Sequence, residues 1–254
     1  MAKTMTKMFT DIFDEPLKAR GYHRKGKIYC KLEGEFIYGV TIKAINPYII
    51  CFSAVPYWLI DRSQSVKFMF HKGYWIESET VFISCPLRYD KEREELNSDY
   101  MSVCLNLAET YALPHIEAIK SIEDYTKVQG LRETSIKNLY TTEFVKSYSF
   151  FSQELKDKYP QFYHDIYYSF TFGYRRNYLI LQYALLDIAR KDGNFDRAYS
   201  IWQRYDPENR LGGDIFGEKM KENDLDWILR YKEEQRKFIL PHLRDELKIN
   251  TAIL

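Results

Sequence analysis

The five histidines of this chain (His23, His71, His115, His164 and His242) are the side chains best suited to move protons or hold a metal near neutral pH. None falls in an HxH, HxxxH or HExxH pattern, and no cysteine stands near enough to complete a zinc set. His164-Asp165 is a lone pair without the other ligands of a metal-dependent phosphohydrolase, so a pair on a helix surface is the simpler reading. Glu154-Leu155-Lys156 and Glu246-Leu247-Lys248 match the Glu-x-Lys fragment of many nucleases. Such triplets are common in charged helices, and neither follows a strand carrying a partner Asp. There is no GxSxG, P-loop or GxGxxG, so acyl transfer and nucleotide chemistry have no local support. An enzymatic site would have to be assembled between the sheet face and the helical half. Its candidates are His23, Arg24, Lys25 and Glu77, with His115 further out. No cofactor and no metal is implied.

Two other constellations point to binding rather than catalysis. Arg20, Arg24, Lys25 and Lys27 form the densest basic run, with Tyr22 and His23 among them. Net charge is +1, and residues 1–128 carry as many acids as bases, so a solvated turn is favoured over a nucleic-acid site. From Tyr140 to Tyr183 the chain is dense in Phe and Tyr, and Tyr174, Arg175 and Arg176 lie in that stretch. Aromatics beside Arg can anchor an interface. Helical spacing makes core packing the default for most of these rings. Tyr167 and Tyr168 cannot both face one core strip, so one must look outward or toward another element. The residues expected to bind are Tyr167, Tyr168, Tyr174, Arg175, Arg176, Arg24 and Lys25.

The elements that position these residues change character along the chain. Residues 5–20 predict a helix, with Met8 or Phe9, Ile12 or Phe13, and Leu17 on one face. Gly21 is its expected stop, and Pro16 is expected to bend it or to mark a late restart. Short β-branched and aromatic runs at 27–32, 36–45, 48–60, 73–76 and 80–86, broken by Gly, Pro and Asn, predict sequential antiparallel strands. Asn97-Ser98-Asp99 is the expected cap of a helix over 100–113, with Pro114 permitting a break or a new first turn. Beyond Lys127–Gly130, the best candidate boundary, apolar residues recur at helical spacing, including Phe162, Ile166 and Phe170. Pro241 is expected to kink or end the last helix. The fold class is therefore α+β: a domain over 1–128 with an antiparallel sheet of four to six strands and flanking helices, then an all-α domain over 129–254.

The first half resembles an uncharacterised bacterial family, one of the domains of unknown function, over about residues 5–128. The matching residues are Leu17-Lys18-Ala19-Arg20-Gly21-Tyr22-His23-Arg24-Lys25-Gly26, then Ile28-Tyr29, then Leu113-Pro114-His115-Ile116. The resemblance implies the strand-and-helix pattern and brings no active site. Ala189 to Ala198, with Trp202 beyond, resembles the turn of one tetratricopeptide-like helical hairpin near 179–205, with Gly193 ending a helix and Asn194 or Asp196 capping the next. No second copy follows at a 34-residue period, so a solenoid is not expected.

The N-terminus shows no signal peptide, and the most hydrophobic window, 45–60, is interrupted by Asn46, Pro47, Ser53 and Pro56, so no membrane span is expected. Cys30, Cys51, Cys85 and Cys104 are widely spaced, as in a reduced, cytoplasmic protein. These features favour a non-enzymatic binding protein with a protein partner, of a regulatory or toxin-neutralising kind, over an enzyme.

Overall fold

The computed structural model describes residues 4–43, 48–59, 81–85, 94–122, 124, 167–169, 191, 193–197, 200 and 226–247. The first element, α1 (Met5–Ala19), begins where Thr4 caps it, its hydroxyl accepting from the Lys7 amide at 3.2 Å. Met5, Met8, Phe9, Phe13 and Leu17 line its buried side, as their spacing predicts. The helix ends at Gly21, whose φ of 84° is open to glycine and strained for other residues. The amides of Gly21 and Tyr22 turn back onto the carbonyls of Lys18 and Leu17. Pro16 sits inside α1, and the helix runs through it.

Six antiparallel strands then lie in sequential order: β1 (His23–Lys25), β2 (Ile28–Glu33), β3 (Phe36–Lys43), β4 (Tyr48–Pro56), β5 (Val81–Cys85) and β6 (Tyr167–Ser169). β2 and β3 are joined by Gly34-Glu35 alone, between the paired residues Glu33 and Phe36. A two-residue hairpin of this kind needs positive φ, and Gly34 supplies it at 56°. β4 leads into a 3-10 turn, Tyr57–Leu59. Residues 73–76, expected to form a strand, lie outside the described residues.

The register sorts the central strands into two faces. Tyr29, Val40 and Phe52 align across β2, β3 and β4, as do Lys31, Tyr38 and Ala54. On the other face Cys30, Gly39 and Ser53 align, followed by Ile28, Thr41 and Cys51. Both faces are buried. α1 covers the first: the Phe9 ring meets Tyr29 edge-on at 5.8 Å and stacks with Phe13 at 4.7 Å.

α2 (Glu94–Leu107) packs on α1, then passes through a π-helical turn at Ala108–Ala112 into α3 (Leu113–Glu117). The cap expected at Asn97-Ser98-Asp99 is corrected: these residues lie inside α2, and Asn97 is buried. The helix begins at Glu94 instead. Pro114 starts α3 without a break, since proline's missing N–H is harmless in a first turn. Just past α3, the Ile119 carbonyl accepts from the Tyr38 hydroxyl at 2.6 Å, fastening this helix to the first face.

One expectation for the C-terminal half changes. Tyr167–Ser169 lies in a strand paired with β5, so the helical reading of this stretch, and with it an all-α 129–254, is corrected at residues 167–169, while Phe162, Ile166 and Phe170 lie outside the described residues. Helical spacing and strand alternation are hard to separate over so short a segment rich in aromatic residues. The last described helix, α4 (Trp227–Leu247), does not end at Pro241. Gly193 has a φ of 63°, and the Asn194 side chain accepts from the Arg197 amide at 3.1 Å, the stop and cap expected for the hairpin near 179–205. The boundary expected at 128/129 lies outside the described residues.

Candidate functional site

Polar side chains gather where the first face of the sheet meets the ends of α1 and α3. Lys31 stands in the middle of β2, its alkyl stem running up from the sheet and its Nζ 5.5 Å from the centre of the Tyr22 ring and 5.6 Å from that of Tyr38. Glu33 and Glu117 approach that ammonium at 3.5 and 3.6 Å. Glu117 also accepts from Arg20 at 3.0 Å, joining the end of α1 to the end of α3. Lys120 pairs with Glu33 at 2.6 Å and lies over the Tyr38 ring at 5.3 Å. The Lys120 hydrogen bond, against an opposing effect of burial, holds the Glu33 carboxyl below its ordinary pKa. Burial, and then the Glu117 charge, push the Tyr22 hydroxyl well up. That hydroxyl and Glu117 Oε1 are both buried without good hydrogen-bond geometry to any partner.

This cluster can hold three helix and strand ends in register, and its Tyr22 hydroxyl keeps its proton across the physiological range. Sequence reading singled out Tyr22 only as a neighbour of the basic run and missed Lys31 and Glu117. The signal for Lys31 was available: a charge in the middle of a strand of buried apolar residues needs a counter-ion.

A second assembly sits at the β2–β3 turn. Glu35 accepts from the Trp58 indole at 3.2 Å and from Lys232 of α4 at 3.2 and 3.4 Å. Lys232 Nζ lies 4.8 Å from the centre of the Trp58 ring. Trp58 is fully buried, and Lys232 is mostly so. Along α4, Gln235, Ile239 and Leu243 form the buried stripe at four-residue spacing. On its flank stand Tyr231, Phe238 and His242, at seven- and four-residue steps. Phe238 is 36% exposed and meets the His242 ring edge-on at 5.5 Å.

The residues expected from sequence are dispersed. Arg24 bonds to Asp14 at 3.0 Å and to the Gly26 carbonyl at 2.8 Å. Burial would raise the Asp14 carboxyl, but hydrogen bonds from Lys18, Arg24 and Tyr29 outweigh it and hold the pKa below its ordinary value. His23 lies exposed on the edge strand β1, with Lys25 half-buried beside it. Lys27 donates to the Ile42 carbonyl. Arg20, Arg24 and Lys27 of the basic run are thus drawn into turn and helix contacts. His115 is buried in α3, and burial pulls its pKa down to about 4. Tyr167 and Tyr168 lie on the far edge strand, while Glu77, Tyr174, Arg175 and Arg176 lie outside the described residues.

Among the described residues, no group of three or more His, Cys, Asp and Glu is placed to hold a metal ion, and no helix is long and apolar enough to cross a membrane. No family model matches the chain, and neither a curated protein nor a solved structure matches it.

Proposed function

We propose that this is a non-enzymatic protein-binding module, regulatory or toxin-neutralising in kind, that presents the aromatic flank of α4 to a protein partner. The observation that carries the reading is Phe238: a large ring, 36% exposed, on a helix fixed to the sheet at Lys232. With Tyr231 and His242 on the same flank it makes a firm apolar ridge bordered by Glu234 and Asp245. Rigid aromatic side chains with charged neighbours are what interface centres are made of. The proposed setting is the cytoplasm, where the buried thiols of Cys30, Cys51 and Cys104 stay reduced. The likeness of residues 5–128 to an uncharacterised bacterial family belongs to this proposal, as does the division of the chain near residue 128.

Affinity capture from a cell extract with the intact chain tests it. The wild type should retain a partner saturably, and Phe238→Asp should lose at least tenfold in affinity with an unchanged melting temperature. Equal retention by the two would overturn the reading. A second reading, an enzyme whose site lies between the sheet and its helices, draws support from the Tyr22 hydroxyl and the Glu117 carboxylate, buried side by side beside the Lys31 ammonium. It requires Tyr22→Phe to abolish a turnover that Phe238→Asp leaves intact.

A further inference from the structure

We infer that α4 is a latched strap: it lies over the small-residue face of the sheet and lifts from that face as a unit, short of global unfolding, when the Glu35 contact is broken. The inference stands whether or not α4 carries a recognition surface. α1 and α3 are fastened to the face of Tyr29 and Tyr38. α4 touches the 3-10 turn at one end of the sheet and reaches β1, the partner of Cys30, toward the other. The face this path would cross carries Cys30, Gly39, Ser53, Thr41 and Cys51 in its central rows, flanked by Ile28, Ile37 and Val55, all of them buried.

The small central rows offer a helix less apolar surface than the rings of the other face do, and burial stabilises in proportion to apolar area. Within the buried stripe of α4, Ile239 and Leu243 are apolar, while the Gln235 amide donates to Tyr231 of the same helix at 2.6 Å. Beneath the strap the Ser53 hydroxyl is buried with no hydrogen-bond partner, a penalty that opening relieves. Closure therefore leans on Glu35, one carboxylate that accepts from both Trp58 and Lys232. Elements with few apolar contacts and a concentrated polar anchor are those that open below the global unfolding free energy.

Thiol labelling of the full-length chain with a maleimide, mapped by peptide mass spectrometry, tests the inference. Cys30 and Cys51 report on the strap, and Cys104, buried in α2 against α1, reports on global unfolding. Glu35→Gln should speed labelling of Cys30 and Cys51 about tenfold and leave Cys104 unchanged. Lys232→Met, which keeps the stem over Trp58 and removes the charge, should act in the same direction and less strongly. Raising the salt concentration should speed the two thiols in the wild type and not in Glu35→Gln. Acceleration of all three thiols together would overturn the inference, as would unchanged Cys30 and Cys51 in variants that circular dichroism shows to be folded. Should Glu35→Gln fail to fold, Lys232→Met and the salt series on the wild type decide by the same criteria.

Discussion

The two faces of the central sheet are both buried, yet their central rows are built from different materials. One packs rings on rings: Phe9, Phe13, Tyr29, Phe36, Tyr38 and Phe52, all but inaccessible to solvent. The other aligns Cys30 with Gly39 and Ser53, and Thr41 with Cys51, with Ile28, Ile37 and Val55 flanking these small residues. Large interlocking side chains make a surface that is costly to separate, because every atom lost from contact forfeits both transfer energy and close packing. Small side chains let a neighbouring element approach closely but reward it less. The contrast suggests that the aromatic face sets the stability of this protein and that the small-residue face permits movement.

The strongest way to break that comparison is to hollow out the aromatic face. Phe13→Ala removes a fully buried ring that stacks on Phe9 and should cost about 3–5 kcal/mol in urea unfolding. A loss below about 1 kcal/mol would mean that the aromatic face is not the main source of stability. Next in size is a pH effect from the same layer. Burial lowers His115 from 6.5 to about 4, so the unfolded chain takes up a proton as the pH falls below 6.5 while the folded chain resists it until about 4. Stability should therefore decline across that window by about 3 kcal/mol in all, and His115 should add no slope above it. In His115→Gln, denaturation midpoints measured from pH 7 to pH 4 should lose this slope; an unaltered slope would assign it to the carboxylates.

How much of this was legible beforehand differs between the same regions. α1 and the β2–β3 hairpin are written in local signals: apolar residues at helical spacing before Gly21, and β-branched and aromatic runs joined by Gly34-Glu35. The position of α2 was misread because Asn97 has the chemistry of a cap, whereas tertiary burial drew it into the helix. The Lys31 cluster and the Glu35 latch join residues as much as 197 apart, and no local pattern records which distant counter-ion a charge will meet. β6 escaped for a related reason. Its place in the sheet depends on pairing with β5 across more than eighty residues, and Tyr167-Tyr168-Ser169 has no alternation long enough to announce a strand.

Smaller substitutions sharpen the contrast by asking what single polar atoms do on each face. On the aromatic side, Tyr38→Phe keeps the ring and deletes the bond to the Ile119 carbonyl, leaving that acceptor buried. It should cost about 1 kcal/mol, read from the urea midpoint.

On the other side the sign should reverse. The Ser53 hydroxyl is wholly buried and has no hydrogen-bond partner, so the folded chain bears the cost of removing it from water and receives nothing in return. Ser53→Ala deletes the hydroxyl and little else, since the remaining methyl group fits the same space beside Gly39. It should be neutral or raise stability by up to about 1 kcal/mol. If α4 is a strap over this face, the gain belongs to the closed state, and maleimide labelling of Cys30 and Cys51 should slow while Cys104 stays unchanged. Destabilisation by Ser53→Ala would show instead that the hydroxyl contributes to the fold, and the small-residue face would then be held together by polar contacts rather than left free to part.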